Sequence, residues 1–216
     1  MTRTAVLASG RGTNLQALID AQAAGELDPA RLVVVLSNVA DATALERARH
    51  AGIRAEFCDP RGLTREEFDL ELAARLAQHE VELLCLAGYM RLLSPGFFRA
   101  FTRPILNVHP ALLPAFPGLH AQRQAWSYGV KISGATVHFV DEGMDSGPIV
   151  AQEAVAVLDD DTSETLAARI LDAEHRIYPR AVREVAAGRF HLSGRRCLTA
   201  EMAPTRRATD AHRGGA

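Results

Sequence analysis

The chain has 216 residues, 48% of them apolar and 23% charged, and a formal net charge of −2. That length suits one domain with a sizeable core, or a domain plus a tail, and the composition is that of an ordinary globular protein. Near-neutral charge gives no electrostatic case for a nucleic-acid or membrane-surface partner, and no apolar run approaches the ~20 residues of a membrane span.

Three cysteines, Cys58, Cys85 and Cys197, make an odd number with no CxxC pair. Cys58 and Cys85 sit in apolar, strand-like runs and read as small buried hydrophobes, so neither a disulfide framework nor a zinc site is expected. The apolar run at 4–8 is too short for a signal peptide, and a reducing cytoplasm is the simplest compartment.

In chain order, TAVLASG predicts a short buried strand that enters a turn from Ser9 to Asn14, with glycines at 10 and 12. LQALIDAQAA has a helical pattern that Gly25 closes. A glycine turn opening onto a helix presents free N–H groups and a positive dipole end, which suits a phosphate. It also describes an ordinary strand-to-helix turn. The full GxGxxG spacing and a Walker lysine are missing, so no dinucleotide or P-loop site is read.

RLVVVLSN is a continuous apolar strand of the parallel-sheet kind, and Asp41 is a candidate cap for the helix that follows it. IRAEFC predicts a third strand. Thr64 stands three residues before Glu67, a capping-box pattern for the helix REEFDLELAARLAQH. VELLCLAG is a fourth buried strand, and it leads through Tyr89, Met90, Arg91, Leu92 and Leu93 to Ser94-Pro95, a cap and first residue for a short helix.

The next stretch, ILNVHPALLPAFPG at 105–118, is a fifth strand running into three prolines and a glycine. Asn107 and His109 are two positions apart on that strand and therefore share a face. Pro110 stops the ladder at His109. An amide beside an imidazole at a strand end is where α/β proteins place chemistry, although a capped strand end has the same appearance.

Beyond it, HAQRQAWSYG predicts an amphipathic helix, and GATVHFV and IVAQEAVAV predict strands flanking the acidic loop 141–147. Asp161 or Thr162 is placed to cap a long helix running to about residue 187, with Pro179 inside it. The pattern decays after Phe190. We therefore expect a single domain over residues 1–192 and a disordered tail over 193–216. Strands alternating with helices predict a Rossmann-like, doubly wound, mostly parallel sheet of about seven strands with helices on both faces.

Asn107, His109 and Asp145 together suggest a reaction. An amide donor stabilises an oxyanion, an imidazole carries protons, and a carboxylate orients the ring and raises its pKa. No serine or cysteine sits in a nucleophile elbow, so direct acyl transfer fits better than a covalent acyl-enzyme. Spacing alone does not bring Asp145 to His109.

SGRGTNLQAL, NVHPALLP, PGLHAQRQA, GATVHFVDEGMDSGPI and AEHRIYP, in that order, resemble the glycinamide ribonucleotide transformylases, folate-dependent formyltransferases of purine biosynthesis. The resemblance runs from about residue 4 to about 190. It implies two small-molecule substrates, 10-formyltetrahydrofolate as cosubstrate and the glycinamide ribonucleotide, with no metal, in a monomer or homodimer. It also implies catalytic roles for Asn107, His109 and Asp145. Gly12, Thr13 and Asn14 match the phosphate loop, and Glu174 matches the ribose ligand. Arg65, Met90, Arg91, Leu92, Leu93, Asn107, Val140 and Asp141 match the folate site, with Arg65 meeting the glutamate tail. The bond before Pro114 is expected to be cis. His138, mid-strand, is expected to be structural, and His120 ranks below His109 as the proton carrier. Gly143 and Met144 depart from the family's loop. Methionyl-tRNA formyltransferases and formyltetrahydrofolate deformylases share the Asn, His and Asp trio. They carry further domains for which this chain is expected to have no room, and the 9–14 loop favours a nucleotide acceptor. A noncatalytic folate- or nucleotide-binding module would not require all three of Asn107, His109 and Asp145.

Overall fold

Strands that must bury both faces need a covering layer on each side, and this chain supplies two. The computed structural model describes residues 1–199. In chain order it contains β1 (Thr2–Leu7), α1 (Thr13–Ala23), β2 (Ala30–Ser37), α2 (Thr43–His50), β3 (Arg54–Phe57), α3 (Arg65–Gln78) and β4 (Leu83–Leu86). There follow α4 (Pro95–Ala100), β5 (Ile105–His109), α5 (Ala121–Tyr128), β6 (Ile132–Phe139), β7 (Ile149–Ala156), α6 (Ser163–Ala186), β8 (Phe190–Ser193) and β9 (Arg196–Thr199).

The strands form one sheet in the order β3-β2-β1-β4-β5-β6-β7-β9-β8. The first five are parallel, and β6 and β7 are antiparallel additions. Alternation along each strand divides the core. Val6, Val35, Cys85, Leu106 and Val108 pack with α1, α2 and α6. Their neighbours Ala5, Leu7, Val34, Leu36, Leu84 and Ile105 pack with α3 and α4 on the other face. Cys58 and Cys85 are fully buried and unpaired, as small hydrophobes.

The helix starts follow the local chemistry. The Thr64 hydroxyl accepts from the Glu67 N–H at 3.2 Å, and the Glu67 carboxylate accepts from the Thr64 N–H at 2.8 Å. The Ser94 hydroxyl accepts from the Phe97 N–H at 3.3 Å, with Pro95 opening the helix. Thr162, rather than Asp161, caps α6.

Two expectations need correction. The sheet has nine strands among the described residues, not about seven. Residues 193–199, expected in the tail, complete a hairpin in which Ser193 pairs with Arg196, and β9 joins β7 in parallel at Ile149 and Arg196. The hairpin is mostly exposed and so lacks the apolar period that marks a buried strand. The edge of β7 supplies its pairing, which local sequence does not reveal. The remainder of the expected tail, 200–216, lies outside the described residues.

Tyr178 ties α6 to the sheet. It is fully buried, and its hydroxyl donates toward the carbonyls of Leu86 at 2.9 Å and Leu106 at 3.2 Å. Tyr178→Phe removes the donor and strands two buried acceptors, so it should lower the unfolding free energy by about 1–2 kcal/mol in urea titration. An unchanged midpoint would show that the hydroxyl contributes nothing.

Candidate active site

The row that begins at Ile105, under the α3 and α4 layer, continues on the same face to Asn107 and His109. Antiparallel pairing puts His138 directly opposite Asn107 and Thr136 opposite His109. The proline turn after His109 is pinned from below. The Thr136 hydroxyl donates to the Ala111 carbonyl at 2.7 Å and accepts from the Leu113 N–H at 3.1 Å, and Gln152 donates to the Leu113 carbonyl at 2.8 Å. The Leu113–Pro114 bond is cis, as expected.

This turn brings the Phe116 carbonyl to His109, whose Nε2 lies 2.8 Å from it. A carbonyl only accepts, so Nε2 carries a proton in that contact. The other ring nitrogen, Nδ1, lies 3.3 Å from Oδ2 of Asp145. Asp145 thus does meet His109, across 36 residues of sequence that give no hint of it. Its residue adopts a left-handed φ of 49°, and Oδ2 also accepts from the Gly118 N–H at 2.8 Å. The carboxylate therefore bridges the β6–β7 loop, the histidine and the end of the proline turn.

Burial pulls the His109 pKa below the ordinary histidine value, and Asp145 and the Phe116 carbonyl offset part of that fall. Burial pushes the Asp145 carboxyl up. The neighbouring His138, the hydrogen bond from the Gly118 N–H and the charge of His109 outweigh it and leave its pKa below the usual carboxylate value. Asp145 is therefore an anion at neutral pH.

His138 belongs to this cluster. Its Nδ1 lies 2.8 Å from the Phe139 carbonyl and so donates, which in the neutral ring leaves Nε2 to accept from the Asn107 amide at 3.2 Å. The same Nε2 lies 3.6 Å from Oδ1 of Asp145. One amide hydrogen of Asn107 is thereby engaged, and the second is free to serve the adjoining cavity.

That cavity is walled by Leu86, Leu92, Leu93, Phe98 and Val140, with Tyr89, Arg91, Asn107, His138, Asp141 and Asp145 among its polar lining. Apolar walls with a few placed polar groups suit a flat heterocycle. The buried Tyr89 hydroxyl and Arg91 Nε have no hydrogen-bond partner within the protein. Of the residues matched to a folate site, Arg91, Leu92, Leu93, Asn107, Val140 and Asp141 line this cavity. Met90 is 65% exposed and Arg65 is exposed at the start of α3, and neither lines this cavity. His120 is exposed at the N-cap of α5, outside the cluster.

The second end of the site lies at α1. Gly12 is its N-cap at φ 69°, and a Cβ there would meet the Ala44 Cα and Cβ at 2.8 Å, so only glycine fits. No side chain caps this helix start, which leaves its N–H groups for a ligand. Asn14 is engaged differently: its amide donates at 2.7 Å to Glu174, and both side chains are buried. Burial raises the Glu174 carboxyl to about 7, with Asn14 offsetting part of the rise. Among the described residues, no group of His, Cys, Asp and Glu side chains is arranged to hold a metal.

A profile of the formyl transferase family matches residues 2–182. The chain belongs to that family. Among solved members, the glycinamide ribonucleotide transformylase 1 of Symbiobacterium toebii superposes with a TM-score of 0.90 at 55% identity, covering 92% of this chain and 94% of that one. The phosphoribosylglycinamide formyltransferase of Bacillus subtilis is 40% identical over 186 residues, 86% of this chain and 95% of that protein. The trifunctional purine biosynthetic protein adenosine-3 of Drosophila pseudoobscura pseudoobscura is 48% identical over 188 residues. This chain covers only 14% of the length of that relative. The formyl transferase family thus includes single-domain members of this size as well as segments of much longer proteins.

Within this formyl transferase, the expected trio converges and the cavity forms beside it, and His138, expected to be structural, stands opposite Asn107 and bonds its amide. The register of β5 against β6 was the missing signal. At Glu174 the chain holds a proton in the folded state that the unfolded chain releases near 4.5. Stability therefore falls as pH rises from about 4.5 to about 7, by about 3 kcal/mol in all. Glu174→Gln keeps an acceptor for Asn14 and abolishes this titration. The variant should gain on the parent by about 2–3 kcal/mol at pH 8 and little at pH 4.5, read from urea unfolding at both pH values. Parallel stability profiles for the two proteins would exclude the buried charge.

Proposed function

We propose that this chain transfers the formyl group of 10-formyltetrahydrofolate to the glycinamide amine of 5′-phosphoribosylglycinamide, a step of de novo purine (IMP) biosynthesis. The observation that carries this reading is the convergence of Asn107, His109 and Asp145 beside an apolar cavity with orphaned polar atoms. An uncapped glycine-led helix and the Asn14–Glu174 pair complete the acceptor end. The family relatives named above support it.

Gly12 and Thr13 hold the phosphate through backbone N–H groups at the start of α1. Glu174 accepts from the ribose hydroxyls, and Asn14 holds Glu174 in place while lending its backbone to the phosphate loop. Arg91, Leu92, Leu93, Val140 and Asp141 receive the folate ring. Met90 and Arg65 serve its outer parts, with Arg65 meeting the glutamate tail. The donor supplies an electrophilic formyl carbon between these two ends.

Asn107 donates its free amide hydrogen to the oxygen on which negative charge develops as the tetrahedral centre forms. Asp145 faces Nδ1 of His109 and the Phe116 carbonyl faces Nε2, so the protonated ring is held from both sides and its neutral form has one nitrogen free to take up a proton. The lowered pKa keeps much of His109 neutral near pH 7, ready to accept the proton that the attacking amine sheds. Asp145 then stabilises the resulting imidazolium, which returns the proton to folate N10 as the C–N10 bond breaks and the tetrahedral centre collapses to the formylated amine. His138, hydrogen-bonded to Asn107, keeps the amide aimed. The buried unpaired thiols of Cys58 and Cys85 fit a reducing, cytoplasmic setting.

Mixing the purified protein with 10-formyltetrahydrofolate should yield tetrahydrofolate, followed by absorbance, only when glycinamide ribonucleotide is present. Turnover without the amine would make it a hydrolase, and none in either mixture would sink the transferase reading. Asn107→Ala should lower kcat by roughly 10²–10³ and His109→Ala by roughly 10²–10⁴, each with the fold retained by circular dichroism. Retained activity in His109→Ala would refute its role. Because the His109 pKa is lowered, the acid limb of the kcat profile should fall below pH ~6.5.

A further inference from the structure

The loop that carries Asp145 is exposed over residues 141–144, yet it must hold a carboxylate against a buried imidazole. Asp145 itself sits at φ 49°, a conformation that a non-glycine residue keeps only when its surroundings impose it. Several contacts impose it from within. Oδ1 of Asp141 accepts from the Ser146 hydroxyl at 2.6 Å and from the Gly143 N–H at 3.1 Å, and the Phe139 N–H donates to the Pro148 carbonyl at 2.9 Å. Two contacts come from outside: the Gly118 N–H donates to Oδ2 of Asp145 itself, and a second hydrogen bond reaches the loop backbone. Nη2 of Arg195 donates to the Ser146 carbonyl at 2.6 Å.

Arg195 lies in the turn between β8 and β9, next to Gly194 at φ 60°. The Ser146 carbonyl belongs to the peptide joining Ser146 to Gly147, one bond along from the turn at Asp145, so this contact fixes the chain where it leaves that turn. The hairpin is in turn anchored to β7, the strand that the loop enters, through Ile149 and Arg196. The end of the chain's described part and the loop are thus joined at two points, three residues apart on the loop side.

We propose that Arg195, at the tip of the C-terminal hairpin, is a positioning residue for Asp145. By holding the Ser146 carbonyl, its guanidinium keeps the left-handed turn that aims the Asp145 carboxylate at Nδ1 of His109. A charged donor makes a stronger bond to a carbonyl than a neutral one, which suits an exposed contact that must persist against water. The kinetic part of this inference rests on the formyl-transfer reading, and the structural part does not.

Arg195→Met keeps the aliphatic stem and removes the donors. The titratable groups that act on His109 are Asp145 and His138, so a loosened Asp145 loses part of its upward pull on the imidazole. In full-length protein, the NMR titration of the His109 ring should therefore move to lower pH in Arg195→Met than in the parent, with the melting temperature little changed. In the transfer assay, kcat should fall roughly three- to tenfold, the scale of one charge-assisted hydrogen bond, while KM for the ribonucleotide stays within roughly twofold. An unchanged His109 titration overturns the proposal, whatever the rate does. A fall in kcat accompanied by an equal rise in ribonucleotide KM and a lower melting temperature also overturns it, since that is general destabilisation. If the parent protein transfers no formyl group, the proposed function falls, and the His109 titration still decides the role of Arg195.

Discussion

A buried histidine whose two ring nitrogens both face oxygen acceptors is the constraint around which this molecule is arranged. A neutral imidazole has one N–H and cannot satisfy both the Phe116 carbonyl and the Asp145 carboxylate, whereas an imidazolium can. Burial opposes that charge. The opposition holds the pKa of the ring below the ordinary histidine value, while the two acceptors favour the protonated form, and a proton carrier uses both states. Each neighbour exists in its place to keep this balance. The cis-proline turn supplies the carbonyl, the left-handed residue at the β6–β7 loop supplies the carboxylate, and Gly118 keeps the two joined.

The same trade appears at Glu174, in the opposite direction of charge. A carboxyl packed under α1 with only Asn14 as a donor weakens the fold once ionised. An ionised, partly satisfied acceptor is also what a pair of sugar hydroxyls binds best. The chain accepts lower stability at the acceptor end and keeps an unspent hydrogen-bonding capacity there, as strained or desolvated functional groups commonly do.

Much of this was legible in the sequence because local chemistry and tertiary structure agree. The capping box at Thr64 and Glu67, the Ser94-Pro95 helix start and the continuous apolar strands of the parallel half all formed as their residues dictate. Asn107 and His109 shared a face because strand geometry leaves no other choice. Other features depended on the register between distant segments. Nothing near Asp145 indicates that its carboxylate reaches His109, and family resemblance had to stand in for that contact. Nothing near His138 indicates that its partner is Asn107, 31 residues away. The 9–14 loop itself does not indicate that the Asn14 side-chain amide is spent on Glu174, 160 residues on. The β8–β9 hairpin was invisible for a different reason. Its strands bury little, and their order comes from an edge that only the folded sheet presents.

Tyr178 and Glu174 lie about one turn apart on α6, and this spacing joins two ends of the site that could have been independent. Tyr178 grips the carbonyls of Leu86 and Leu106, next to the strand ends from which the ring-binding loop and Asn107 emerge. Glu174 grips the acceptor end through Asn14. One rigid helix therefore serves as a common ruler for both ends of the proposed site. Their separation is set when the chain folds, so for the two substrates proposed above much of the entropic cost of reaching attack distance would be met in advance.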